Sequence, residues 1–254
     1  MIERASIEGR MFHRGSVAEL LPEKARAGVG GHLMTLVRKQ FIRPERATLP
    51  GDDGFRFGHI LIRDAAYDSV PKRLRGELRE RFTNWLEARL GDDAPGEILA
   101  HHLEQASHYR VELGSEDEHA RELAQRAAGL LAAGGRRAHA RGDDAATRSL
   151  LARATHPLSD GDPELPRLLA LLDSSTYEAG DAPGALEILR RARSAAAATG
   201  QRGVELRARM DELAVLVTAD PGQQTEPIVA ETEAAIAELQ QLDDAESLAR
   251  AWRP

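Results

Sequence analysis

The chain has 254 residues, 42% of them hydrophobic and 30% charged, with a net charge of −7 and no cysteine. That length supports a sizeable core and two domains. The missing cysteines exclude disulfide staples and thiolate metal sites, in keeping with a reducing cytoplasm. No apolar run approaches the roughly 20 residues a bilayer span needs, and the N-terminus, MIERASIEGRMFHRG, reads poorly as a signal peptide. Aromatics are scarce at 4% while Ala and Leu dominate, a composition that favours helix packed on helix. Residues 1–110 carry 18 Lys/Arg and 16 Asp/Glu, and residues 111–254 carry 16 and 25. The first part is therefore near neutral, and the acidic second part repels a phosphate backbone.

In chain order, residues 1–42 read as helices. Leu33, Leu36, Val37 and Phe41 recur at three to four residue steps and give one apolar face. Ala27 to Gly31 reads as a loop or a loose helix start. Two strands are expected next, Gln40–Arg43 ended by Pro44, and Gly54–Phe57. The turn-rich stretch Pro50 to Gly54 between them makes a hairpin. From His59 the helical period returns with Ile62, Ala65, Ala66 and Val70 on one side and Pro71 as the break. A helix over Lys72–Leu90 presents Leu74, Leu78, Phe82, Trp85 and Leu86, closed by Gly91-Asp92-Asp93. Another runs from about Pro95 to Tyr109.

The remainder is helical and repeats at an offset of 38 residues. Gly142, Thr147, Leu151 and Ala154 match Gly180, Ala185, Leu189 and Ala192, and a weaker third copy begins near Asp220. The Gly-Asp pair suits a tight turn between antiparallel helices, because Gly accepts positive φ and Asp caps the next helix. The small residue lets helices touch, and the apolar residue fills the layer between repeats. Each hairpin leaves an apolar face that the next must cover. The expected end at Trp252-Arg253-Pro254 falls partway through another hairpin and reads as a truncation.

Together these segments form a mainly α chain: a winged helix-turn-helix with a small hairpin over 1–92, linker helices over 93–118, and a TPR-like solenoid over 119–254. In order they resemble the C-terminal half of a bacterial STAND-type signalling ATPase. The resemblance is to regulators that join the ATPase to a nucleotide cyclase or a LuxR-type DNA-binding domain. It is carried by Glu3 to Arg10 with Phe12, by Phe55-Arg56-Phe57-Gly58-His59, and by Leu61 to Tyr67. His102 to Ala106 and Gly134 to Ala138 carry it through the linker helices. The resemblance implies a switch in which the winged helix folds against a nucleotide-binding core and the repeat arm receives a protein or small effector. It implies that His59 senses bound nucleotide and that Arg63 and Asp64 contact the ATPase. ATP or ADP would then belong to the parent protein, its core in cis or in trans, with no cofactor in this chain.

No Gly-Lys-Ser or Gly-Lys-Thr occurs, so the phosphate-cradling loop is missing and the chain reads as a non-enzyme. Leu168 to Asp173 imitates a strand ending in an acid but has the period of repeat core. His59 equally reads as a helix cap, Arg63 and Asp64 as solvated charges, and Tyr67 as core with its hydroxyl at a polar edge. His101, Glu104 and His108 share a helix face, but Gln105 breaks the metalloprotease spacing; no metal is expected. Lys72–Arg81 holds five cations and two acids, the candidate DNA patch. The Asp pairs at 52–53, 92–93, 143–144 and 243–244 read as turn caps. A DNA-binding regulator and a plain repeat scaffold stand as alternatives.

Overall fold

The computed structural model describes residues 1–115, 117–219 and 225–242. Among these the chain is mainly helical, with thirteen α-helices and one small three-stranded antiparallel sheet. The repeat copy expected near Asp220, the Asp243-Asp244 pair and the Trp252–Pro254 end lie outside the described residues. The chain divides into two compact units, Met1–Ala127 and Ala128–Pro254.

The first unit opens with α1 (Ile2–Glu8), β1 (Met11–His13), α2 (Arg14–Leu20), α3 (Glu23–Arg26) and α4 (Val29–Arg38). It continues with β2 (Ile42–Glu45), β3 (Gly54–Phe57), α5 (Ile60–Asp68), α6 (Lys72–Leu90) and α7 (Gly96–Glu112). The sheet order is β1-β3-β2, with Phe12 opposite Phe55 and Ile42 opposite Phe57. Strand β1 falls within the stretch expected to be helical. It is only three residues long, too short to show a period of two, and is held by Phe12, whose ring lies 5.8 Å from Phe55 and 5.2 Å from Phe57. Those rings join Val17, Val29, Leu33 and Ile42 in one core.

Pro44 does not end the second strand but sits inside it, opposite Phe55. β2 is an edge strand, where a missing N–H leaves no ladder bond unmade. Phe41 also departs from expectation. The helix stops at Arg38, and Gln40 takes φ 59°, so Phe41 turns outward and is 42% exposed. Of the two readings of Ala27 to Gly31, the helix start holds: Gly28 is the N-cap of α4, and Gly30 and Gly31 lie within it. On α5 the inward face is Ala66 and Tyr67, with Ile62 partly buried and Ala65 exposed. Helix α6 spans Lys72–Leu90 as read, with Leu78, Phe82 and Leu86 buried.

Helix α8 (Glu118–Ala140) contains the division between the units. It is followed by α9 (Asp144–Thr155), α10 (Leu165–Glu178), α11 (Ala182–Ala198), α12 (Arg202–Ala219) and α13 (Thr225–Gln241). The repeat signature lands where the physics requires. Gly142 and Gly180 take φ 70° and 83°, and Asp143 and Asp181 cap α9 and α11 through Ala146 and Gly184 N–H. Thr147, Leu151, Ala154, Ala185, Leu189 and Ala192 are all at most 1% exposed. Leu168, Leu169 and Leu172 are buried in helix α10, not in a strand.

Candidate functional site

His59 is the N-cap of α5, where its Nδ1 accepts from Leu61 N–H at 3.2 Å. Its approach is fixed by Gly58, whose N–H donates to Phe41 C=O at 2.8 Å. A Cβ at Gly58 would lie 2.5 Å from Gln40 C=O, so only glycine permits this crossing. His59 is exposed, as are Ile60 and Leu61 that follow it and Phe41, whose backbone Gly58 holds; the three apolar side chains are 42%, 67% and 42% exposed in that order. Arg63 bonds Asp64 at 3.1 Å and lies over the Tyr67 ring at 4.6 Å. Thus His59 caps and remains exposed, while Arg63 is partly spent inside its own unit.

Tyr67 is not at a polar edge. Its hydroxyl is buried, 2.7 Å from that of Tyr109, and accepts from Arg79 Nη2 at 2.8 Å and Nε at 3.2 Å. Arg79 Nη1 meets His102 Nδ1 at 3.1 Å. Arg79 and His102 are 4% and 2% exposed. Burial, then the adjacent guanidinium and His101, lower the His102 pKa to about 2, so the ring is neutral. Arginine can only donate, so Nδ1 accepts and the ring proton resides on Nε2. This network ties α5, α6 and α7 together. Sequence reasoning missed it because an Arg in a charged helical run looks solvated. The available signal was that position 79 lies three and seven residues before the apolar Phe82 and Leu86, on their side of the helix.

The cations of the Lys72–Arg81 run, the candidate DNA patch, each have a partner within the first unit, although Arg73 stays 85% exposed. Lys72 pairs with Glu112, Arg73 with Glu77 and Arg81 with Glu19. Arg75 donates to Val70 and Asp68 C=O, and Arg79 is buried. Free basic surface lies elsewhere. From Val29 to Arg46 the chain carries Arg38, Lys39, Arg43 and Arg46 against one acid, Glu45, which pairs with Arg56.

A second polar cluster resembles a catalytic relay and is not one. Glu8 Oε1 holds His13 Nδ1 at 2.5 Å, and Ser16 donates to Glu8. His13 Nε2 already accepts from Thr48 N–H at 3.1 Å and lies 3.4 Å from Leu49 N–H, so its lone pair is committed. The cluster latches the Arg46–Asp53 loop, and Asp52 adds to it by accepting from Gly15 N–H. The Asp pairs have different uses: Asp52 and Asp143 cap, while Asp53 faces Arg14.

His101, Glu104 and His108 share α7, but His108 pairs with Glu112 and His101 stacks edge-on against His102. Among the described residues no three His, Asp or Glu side chains are gathered to hold a metal ion. Nor is any helix among them long and apolar enough to cross a membrane.

In the second unit, Glu212 is 4% exposed and receives Arg190, Arg193 and Arg209 at 3.2, 2.9 and 3.0 Å. Arg209 also grips Glu231, and Arg202 grips Glu238, closing the walls of a cleft of about 360 Å³. The charges lining it are paired, Glu205 with Arg202 on α12 itself and the others between α11, α12 and α13, which makes the cleft a helix clamp. Asp173 is different: it is 7% exposed and its Oδ1 has no hydrogen-bond partner. No protein family, curated protein or solved structure matches this chain.

Proposed function

We propose that this chain is a non-catalytic regulatory segment of a STAND-type signalling ATPase. Its N-terminal module docks on a nucleotide-binding core, and its helical repeats receive a protein or small effector. The order α1-β1-α2-α3-α4-β2-β3 agrees with a winged helix-turn-helix whose wing joins β2 and β3. The paired helices with glycine-aspartate turns agree with a TPR-like arm. One observation carries the reading. The module exposes His59 together with the apolar side chains of Phe41, Ile60 and Leu61, which no stability argument requires to be there. Effector binding on the arm would bias whichever arrangement of the parent it prefers.

The test is assembly with a STAND-type ATPase core, joined in frame or supplied separately. His59→Ala is expected to speed release of bound ADP from the assembly. In the isolated chain it should lower Tm by no more than about 2–4 °C, the cost of a lost cap. Unchanged ADP release would reduce His59 to capping, and appreciable ATP hydrolysis by the isolated chain would overturn the non-enzyme reading.

The excess of cations over acids along α4 and β2 favours a second reading, DNA binding. On that reading Arg43→Ala with Arg46→Ala weakens duplex binding and lowers its salt dependence by about two counterions. Binding insensitive to salt would remove it.

A further inference from the structure

The apolar contact that holds α13 to α12 is small. Among the described side chains of α13 only Ala235 and Leu239 are buried, against Leu206 and a partly covered Met210. By contrast, α11 buries Ala185, Leu189, Ala192, Ala195 and Ala196. Beside the small contact the packing stays open, which leaves the cleft of about 360 Å³ walled by α12 and α13.

Charge supplies the rest. Arg202 donates to both carboxylate oxygens of Glu238 at 2.8 and 3.0 Å, and Arg209 to both of Glu231 at 2.7 and 3.0 Å. The two arginines are seven residues apart, as are the two glutamates. That is about 10.5 Å along each helix, so both bridges form in step across antiparallel helices. The four side chains are 30–46% exposed. Exposed bridges contribute little and weaken as salt rises. Each arginine also keeps a carboxylate on its own helix, Arg202 with Glu205 at 2.9 Å and Arg209 with Glu212 at 3.0 Å. Helix α13 can therefore leave without stranding either charge.

We propose that α13 is a removable strap, and that the α11–α12 face beneath it receives an acidic amphipathic helix of a partner protein, bound as α13 is bound. The resident helix specifies the chemistry. It carries four acids and no cation over Thr225–Gln241, and the face it covers presents Arg193, Arg202 and Arg209. The partner helix needs two carboxylates seven residues apart to meet Arg209 and Arg202. A small residue between them and a leucine after the second meet Leu206 and Met210. A partner with a broader apolar face than Ala235 and Leu239 also fills the open cleft, gaining the contacts that α13 leaves unmade.

The partner class rests on the repeats being the receiving arm. The assay nevertheless uses the full chain without an ATPase core, so its failure leaves the assembly experiment standing. The probe is a fluorescein-labelled peptide with the sequence of residues 225–242, followed by anisotropy. It should bind the chain carrying Glu231→Gln with Glu238→Gln about tenfold more tightly than wild type, because that chain's own strap competes less well. On the same chain, a peptide with both glutamates changed to glutamine should bind about tenfold more weakly. Arg202→Gln with Arg209→Gln should weaken the original peptide likewise; if that chain fails to fold, the peptide pair decides the matter. In hydrogen exchange, wild-type α13 should lose protection before α11, and sooner at high salt. No peptide binding to the Glu231→Gln, Glu238→Gln chain, equal binding of the two peptides, or equal protection of α13 and α11 overturns the proposal. A wild-type dimer in light scattering that the peptide dissolves would assign the face to α13 of a second copy and overturn the separate partner.

Discussion

Arg79 is a buried guanidinium held by neutral partners, Tyr67 and His102, with no carboxylate in ion-pair reach among the described residues. Such a group depends on its acceptors more than the fold depends on the group. Tyr67→Phe strips Nε and Nη2 of their acceptor and should cost about 2–3 kcal/mol. Tyr109→Phe, which removes one hydroxyl contact, should cost about 1 kcal/mol. Arg79→Met, of similar length and without unmet donors, should cost less than Tyr67→Phe. Urea unfolding midpoints order the three; a Tyr67→Phe protein as stable as wild type would refute the network's role. Asp173 yields the complementary prediction in pH. Its folded pKa of about 7 lies above the ordinary 3.8, so the folded state is favoured below about pH 4 and loses that advantage as pH rises to about 7. Asp173→Asn should therefore exceed wild type in stability at pH 8, by at most about 4 kcal/mol, and the gap should shrink by pH 5. Neither residue announced itself in sequence. Arg79 sits in a run of charges that looks solvated, and Asp173 ends a leucine run that reads as plain core.

The elements were more legible than the residues, because turns and helix contacts select narrow residue types. The Gly142-Asp143 and Gly180-Asp181 pairs place both turns and both caps, and the small and apolar positions that follow them are buried. What stayed hidden was whatever lacked a period. Strand β1 is three residues, and Phe41 continues the helical spacing of Leu33 and Val37 beyond the point where Gln40 reverses the backbone. Two glycines of α8 test how far packing governs this level. A Cβ at Gly135 would lie 2.4 Å and 2.6 Å from Leu151 Cδ2 and Cγ, whereas one at Gly129 would meet nothing within 4 Å. Gly135→Ala should thus destabilise by about 1–3 kcal/mol through overpacking. Gly129→Ala should stabilise by up to about 1 kcal/mol through helix propensity. Thermal melting of the pair distinguishes them, and equal shifts would mean that α8 and α9 do not approach as described.

At the scale of the whole molecule, the chain divides at residues 127 and 128, not at the expected 92 and 118, and the small sheet belongs to the first unit. The module's own core is complete without Phe41, Ile60 and Leu61. Val17, Val29, Leu33, Ile42 and the three clustered phenylalanines already fill it. The outward apolar side chains must therefore be judged by what they meet, and substitutions there separate stability from association. Phe41→Ser with Leu61→Ser should change unfolding free energy by no more than about 0.5 kcal/mol per site, the range for exposed positions. The same double substitution should abolish co-elution with a STAND-type ATPase core, because an apolar patch contributes to binding only once water is driven from it. If the variant instead unfolds, those side chains belong to the core. If it folds and still co-elutes, the docking face lies elsewhere on the module, and the basic strip from Arg38 to Arg46 becomes the surface to examine by the same comparison.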